Sequence, residues 1–408
     1  MIGPKDRTIL RDLAKRVAEV AALPVMKERR DLWKKHNALK PTRPMILIFP
    51  EGSWRELLPD SALRCDDKGA RGIEWGLRAR IYTHEHFQDD TVCEAEWVVG
   101  KAINHTPWGL EPERVPAPDA LGAWTFKPVF KEWKDLKKMR VPEVSVDEKA
   151  SAQWMADARE LLGDILEVRQ KGIAHISFHL MSMYTIRRGL CEAMVDLIDN
   201  PAMVHDVMGF LEEGHRRLLR QYTDLNLWSL NNDSTYHSSG GNGYTDELPR
   251  PGFDPTRVRP SDMWASAETQ EFAQVSPAMH AEFALRYEKP LLAPFGLNGY
   301  GCCEDLARKL DDVFTVPGMR RISIAPSASV DLCAPKLGNR YIFSWKPQPS
   351  HLVSFAPDLV RGYVRHTLDV AKAHGCVLEM ILKDTHTCEN RPERFDAWTR
   401  IARELVDA

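Results

Sequence analysis

The sequence predicts an α/β protein: a TIM (β/α)8 barrel with an N-terminal helical extension and an insertion after the first strand. Three observations lead there. Short apolar runs bounded by Pro or Gly recur along the chain, about eight of them, the number that closes such a barrel. Most alternate with helical stretches, the pattern of parallel strands joined by crossover helices. No glycine fingerprint for a dinucleotide follows an early strand, which argues against an open doubly wound sheet. The 408 residues are enough for one large barrel with insertions, and 1–408 reads as a single domain. Within it, 1–43 is the extension and 51–150 the elaborated first crossover.

The elements follow in order. Ile9, Leu10, Leu13, Val17 and Val20 recur at helical spacing, with Arg and Lys between them. A turn at 40–44 leads into the first strand, 45–49, which Pro50-Glu51-Gly52 ends. Residues 51–150 are less regular; they hold His84-Glu85-His86, Asp89-Asp90 and a Pro-punctuated loop from Pro107 to Pro118. Then come a helix over 151–169, a strand over 173–180, and two helices over 190–222 broken at Asn200-Pro201, with Pro201 suited to a helix start. A strand at 227–230 precedes a Gly-rich loop, 238–243. Strands are further expected at 263–267, 291–297, 321–324, 341–345 and 377–382. Helices are expected at 276–287, 305–314, 330–337, 358–374 and 391–406. Ser276 is the N-cap of the first of these, and Pro277 opens it.

Composition narrows the function. Hydrophobic residues are 43% and charged residues 28%, and 55 Lys and Arg against 58 Asp and Glu leave a formal charge of −3. Nothing here predicts a general affinity for nucleic acid or for anionic membrane. The amphipathic start is no signal peptide, and no run is apolar enough to span a bilayer, so a cytoplasmic location is expected. The eight cysteines are irregularly spaced and do not suggest a disulfide framework. Cys302 and Cys303 are neighbours, a pair that rarely reaches relaxed bridge geometry.

In a barrel the active site is built at the C-terminal ends of the strands. Those positions here include Glu51, His179, Asn231, Asn232, Asp233, Glu268, Tyr300, Cys302, Cys303, Trp345, Lys346, Lys383, Asp384, His386 and Cys388. Thiols and an imidazole at two strand ends suggest a metal centre, since catalytic zinc takes ligands from separate elements. Cys303, His386 and Cys388 are the candidate ligands, with Cys302 as alternate to Cys303. The plainer alternative is a small buried cysteine in a tight turn. Asn231, Asn232, Asp233, Tyr236 and His237 form a dense hydrogen-bonding set suited to a polar substrate, or else to turn chemistry. His179 is a candidate acid or a satisfied core histidine. His84 and His86 share one face if extended, but a solvated loop suits that charged stretch better.

Several segments together resemble a known family. They are Asn298-Gly-Tyr-Gly-Cys-Cys-Glu-Asp305, Arg320-Arg-Ile-Ser-Ile-Ala325, Tyr341-Ile-Phe-Ser-Trp-Lys-Pro347 and Ile381-Leu-Lys-Asp-Thr-His386. With the stretches 230–241 and 243–249, they resemble the corrinoid-dependent methyltransferases of the uroporphyrinogen decarboxylase-like superfamily. The resemblance spans most of 44–404. It implies a TIM barrel and methyl transfer between a small methylated substrate, of methoxy or methylamine type, and the cobalt of a corrinoid (cobalamin) protein. Zinc members use a His-x-Cys after a middle strand and a Cys after the last. Cys303 matches the first cysteine, Gly301 stands where the histidine should be, and Cys388 or His386 would replace the last cysteine. Within this reading zinc is the expected cofactor, and His179, Asp384 and Glu304 are the candidate proton donors. Asn231, Asn232, Asp233, Tyr236, His237 and Trp345 would hold the substrate. The partners are a corrinoid protein, a small methyl donor or acceptor, and a possible second copy of the chain. Decarboxylation ranks second. The propionate-gripping segment of true decarboxylases reads Phe49-Pro-Glu-Gly-Ser-Trp-Arg55 here, which leaves Arg55 as its one cation. A non-catalytic ligand-binding barrel is the third reading.

Overall fold

The computed structural model describes residues 2–117, 125–237 and 240–408. Its centre is a seven-stranded, all-parallel sheet. In chain order the strands are β1 (Met45–Ile48), β2 (Ser177–Phe178), β3 (Trp264–Ala267), β4 (Leu297–Tyr300), β5 (Met319–Ile324), β6 (Ile342–Trp345) and β7 (Val377–Leu382). They lie in the order β1-β7-β6-β5-β4-β3-β2, the neighbour relations of a barrel. Met45 faces Glu379 at one end of the series and Ser177 faces Ser266 at the other.

Closure does not follow the expected pattern. Among the described residues no ladder joins β1 to β2, and the predicted strand at 227–230 contributes only a parallel bridge between Ile173 and Trp228. Side chains take over the missing bonds, as buried backbone groups require. On the outer edge of β1, Asp90 accepts from the Ile46 amide (2.8 Å) and Asp89 from the Ile48 amide (3.2 Å). The Asn231 carboxamide donates to the carbonyls of Ala174 (2.8 Å) and Trp264 (2.9 Å) and accepts from the Trp264 amide (2.9 Å).

Strand residues alternate between two cores. Ile46, Ile48, Ile322, Ile324, Phe343, Trp345, Met380 and Leu382 pack in the main helix-facing core. Met45, Leu47 and Ile381 face the other way and meet Trp33, Val92 and Tyr244. Two more residues of that inner side, Arg321 and Glu379, form a buried ion pair. The helical extension is present as α1 (Pro4–Ala21) and α2 (Pro24–Asn37), each opened by a proline. Leu10, Ala14 and Val17 of α1 pack on Leu77 of α3 (Lys68–His86) and on Leu161 and Leu162. Asp67 caps α3 by accepting from the Ala70 amide. Among the described residues no helix is long and apolar enough to cross a membrane.

Other local expectations shift. The predicted strand at 291–297 begins as the end of a helix, Arg286–Leu292, and β4 starts only at Leu297. A short apolar run suits a buried helix as well as a strand, so its period could not decide. His84 and His86 lie in the last turn of α3 rather than in a strand or loop. Pro118 and the loop residues Ser238 and Ser239 fall outside the described residues.

The rest of the Gly-rich loop is packed inward. A Cβ on Gly243 would collide with the Asn231 carbonyl oxygen and the His237 ring. Because a backbone atom blocks it, Gly243→Ala should destabilise the fold by about 1–3 kcal/mol. Urea unfolding monitored by tryptophan fluorescence measures this; an unchanged midpoint would refute the tight packing.

Candidate active site at the strand ends

The C-terminal ends of β2, β3, β4 and β7 bring together an imidazole, two thiols, an ammonium group and two carboxylates. His179 follows β2 and Glu268 follows β3, which pairs with it. His179 Nδ1 lies 2.7 Å from Glu268 Oε1. Burial lowers the imidazole pKa, but the hydrogen bond and charge of Glu268 outweigh it, and the net shift is upward. Burial likewise opposes ionisation of Glu268, and hydrogen bonds from His179 and Cys302 overcome it. The pair thus favours an imidazolium against a buried carboxylate, and Nε2 lies outside this hydrogen bond.

The loop after β4 carries the thiols. Gly301, at φ +95°, turns the chain, and a Cβ there would strike Leu306. Glu304 is buried and accepts from the amides of Cys302 (2.8 Å) and Thr269 (3.1 Å), so it fastens this loop to β3. The thiol sulfurs of Cys302 and Cys303 are 3.5 Å apart. Of the two, Cys303 ionises first: the Cys302 hydrogen bond stabilises its thiolate, and the proton stays on Cys302. Cys303 is exposed, with its sulfur 3.9 Å from Asp384 Oδ2. Lys383 Nζ is 3.9 Å from the Cys302 sulfur and 3.3 Å from Asp384 Oδ1. Burial lowers the Lys383 pKa, but Cys302, Asp384 and Glu51 raise it further, so the ammonium stays charged.

β1 and β7 meet at two strained residues. Glu51 (φ +47°) and Asp384 (φ +58°) both occupy the left-handed region, and the Asp384 amide donates to Glu51 Oε2 at 2.6 Å. Such strain gathers where a site over-determines its backbone. Tyr236 lies against Phe49, ring centroids 4.6 Å apart. Burial, then the charges of Cys302, Glu51 and Asp384, push its phenol well above the usual range. Lys346 is buried and donates to Ser344 Oγ (2.7 Å) and the Ser344 carbonyl (3.0 Å); desolvation pulls its pKa down to about 7. A cavity of about 240 Å³ opens beside His179, walled by Phe178, His215, Leu218 and Tyr222. His215 donates from Nδ1 to the Leu211 carbonyl, and burial lowers its pKa to about 4, so it faces the cavity uncharged.

Several expected site residues are occupied elsewhere. The Asn231 amide holds the scaffold as described, and Asn232 donates to the Leu248 carbonyl. Asp233 pairs with Lys171 and accepts from Thr235. His237 is buried, stacked on Trp264 and bonded to the Asn231 carbonyl; burial pushes its pKa down to about 3. Trp345 points to the helix side, against Tyr363 of α4 (Pro357–Ala373), because alternation along β6 sends Lys346 inward instead.

The proposed zinc ligands are not gathered. Cys388 is buried, and its thiol donates to Glu56 (3.0 Å), which also takes the amides of Cys388 and Asn390. His386 is exposed at the rim, its carbonyl held by Arg55 (2.7 Å). Among the described residues no group of three or more His, Cys, Asp or Glu is placed to hold a metal ion. Zinc therefore does not fit these side chains as arranged, and a lysine ammonium stands beside the thiols instead. Glu268 and Lys383 are strand-end residues to which the sequence reading gave no role; their position at strand ends was the signal available.

No protein-family model matches the chain, and no curated protein matches its sequence. Among solved structures the chain is similar to a methyltransferase from Methanosarcina mazei. The identity is 10%, the TM-score 0.49, and the match covers 92% of this chain and 98% of that one.

Proposed function

We propose that the chain is a corrinoid-dependent methyltransferase, moving a methyl group between a small methoxy- or methylamine-type substrate and the cobalt of a corrinoid on a partner protein. The observation that carries this reading is the hydrogen-bonded His179–Glu268 pair, set at the same strand ends as the thiol and Lys383 cluster. Demethylating an ether or amine leaves a poor leaving group unless it gains a proton as the carbon–heteroatom bond breaks. His179 can deliver that proton from Nε2, because Nδ1 is committed to Glu268. A cavity of about 240 Å³ suits a small methyl donor. Lys383 and Asp384 stand outside this cavity, among the strand-end groups, where they would hold the polar end of the substrate. The corrinoid supplies the cobalt centre that takes up the methyl group, and the exposed rim at Cys303 and His386 leaves room for the protein carrying it. No step is assigned to zinc.

The test is spectroscopic. Purified protein, cob(I)alamin and candidate methyl ethers or methylamines should convert the cob(I)alamin spectrum to that of methylcobalamin. Lys383→Met should raise KM several-fold more than it lowers kcat, because Lys383 orients the substrate rather than reacting. A panel of donors that leaves the cobalt spectrum unchanged, with free corrinoid and with corrinoid protein alike, would rule the reading out.

A further inference from the structure

We propose that Cys302 and Cys303 form a peroxide-reactive dithiol, which a hydroperoxide converts reversibly into a disulfide between the two neighbours. Four features of the loop support this. The two sulfurs are 3.5 Å apart, so closing the bond needs a movement of about 1.5 Å, given an S–S length near 2.05 Å. Cys303 is exposed, whereas Cys302 is less so, which separates an attacking thiol from a resolving one. The Lys383 ammonium stands 3.9 Å from the Cys302 sulfur, a positive charge beside the pair that favours thiolate within it. The segment 301–306 is neither helix nor strand, so local torsions can adjust without breaking a ladder.

The chemistry balances as follows. The Cys303 thiolate attacks one oxygen of hydrogen peroxide; an S–O bond forms, the O–O bond breaks, and the departing hydroxide is protonated to water. The Cys302 sulfur then attacks the sulfenic sulfur of Cys303. The S–S bond forms, the S–O bond breaks, and hydroxide leaves as water with the Cys302 proton. Two thiols lose two electrons and two protons, and one peroxide becomes two waters. Of the six other thiols four are buried and poorly placed to compete for the sulfenic acid, while the exposed Cys191 and half-buried Cys376 lie on other elements, outside this loop. Cys388 is buried on Glu56, and Cys65, Cys93 and Cys333 are buried too. A bridge between adjacent residues is off its relaxed geometry and hence easily reduced, which makes the modification reversible.

This inference concerns the same mouth but does not depend on methyl transfer, so either can fail alone. The test treats the full-length protein with one equivalent of hydrogen peroxide, with and without dimedone to trap sulfenic acid, followed by intact-mass and peptide mass spectrometry. The wild type should lose two hydrogens on the peptide holding both cysteines, gain no dimedone, and recover its mass on reduction with dithiothreitol. Cys302→Ser should instead carry dimedone on Cys303, and Cys303→Ser should lose no hydrogens there. Overturning results are equal dimedone labelling of wild type and Cys302→Ser, direct passage of Cys303 to sulfinic acid in the wild type, or hydrogen loss mapping to other cysteines.

Discussion

Replacing Arg321 with Met should cost about 3–5 kcal/mol of folding stability, the usual consequence of leaving one partner of a buried ion pair alone. Arg321 and Glu379 face each other on the inner side of β5 and β7, with Nε 3.0 Å from Oε1. Both are almost fully buried. The guanidinium also donates to Asn37 Oδ1 (2.6 Å) and the Asn242 carbonyl (3.1 Å), and lies 4.9 Å over the Trp264 ring. The carboxylate accepts from the Gly241 amide (2.9 Å) and lies 3.1 Å from His36 Nε2. One ion pair thus ties α2 and the Gly-rich loop to two strands. Burial opposes ionisation of Glu379, yet the Arg321 charge and the His36 hydrogen bond hold its pKa well below the carboxylate range.

The sign of the pH dependence follows. In the wild type a depressed pKa means that Glu379 contributes stability above its unfolded value, lost as pH falls through the folded one. Without Arg321, burial dominates and the folded pKa rises above the unfolded one. Arg321→Met should therefore be more stable at about pH 5 than at about pH 8, whereas wild-type Glu379 contributes equally at both, its loss lying at lower pH. Arg321→Met with Glu379→Met should recover most of the loss, since paired apolar replacement of a buried ion pair is often neutral. Urea unfolding at both pH values decides; a single variant within about 1 kcal/mol of wild type would refute the structural weight given to this pair.

What the sequence made legible was the strand and helix succession, because apolar periodicity survives into the folded chain. Six of the seven sheet strands lie within or beside a predicted apolar run, and β4 is displaced toward the end of its run. The lack of a ladder between β1 and β2 among the described residues was not legible. It depends on Asp89 and Asp90 presenting carboxylates to the edge of β1, and on one Asn231 side chain substituting for ladder bonds. These contacts join residues 33 to 57 positions apart with no local signature. The fate of Cys388 was hidden for the same reason: its partner, Glu56, is 332 positions away. Strand alternation, by contrast, was available and could have turned Trp345 to the helix side in favour of Lys346. Strand ends fix the mouth as a place. Which polar groups are free there depended on loop packing, and that is what removed Asn231 and His237 and left His179.

Removing the His179 imidazole should therefore be the most damaging change to the proposed reaction. If His179 protonates the leaving heteroatom, His179→Ala should lower kcat by about 10²–10⁴-fold, the usual worth of a positioned acid. Stability should fall as well, because the buried Glu268 carboxylate loses its partner, so kcat is compared after the variant is shown to be folded. Glu268→Gln is the sharper probe. Activity carried by the imidazolium falls as pH rises through the His179 pKa, which Glu268 holds above the ordinary value. Losing that carboxylate removes the hydrogen-bonded charge while burial remains, so the folded pKa drops. The alkaline fall in kcat/KM should move to lower pH, with kcat preserved at the acid end of the profile. The same shift should appear in the imidazole proton resonance of His179 when titrated without substrate. A Glu268→Gln profile that superposes on wild type would separate His179 from the chemistry and leave Lys383 or Asp384 as the proton source. A profile displaced toward acid, together with the loss in His179→Ala, would place the proton on Nε2 of a histidine that one strand supplies and the neighbouring strand holds charged.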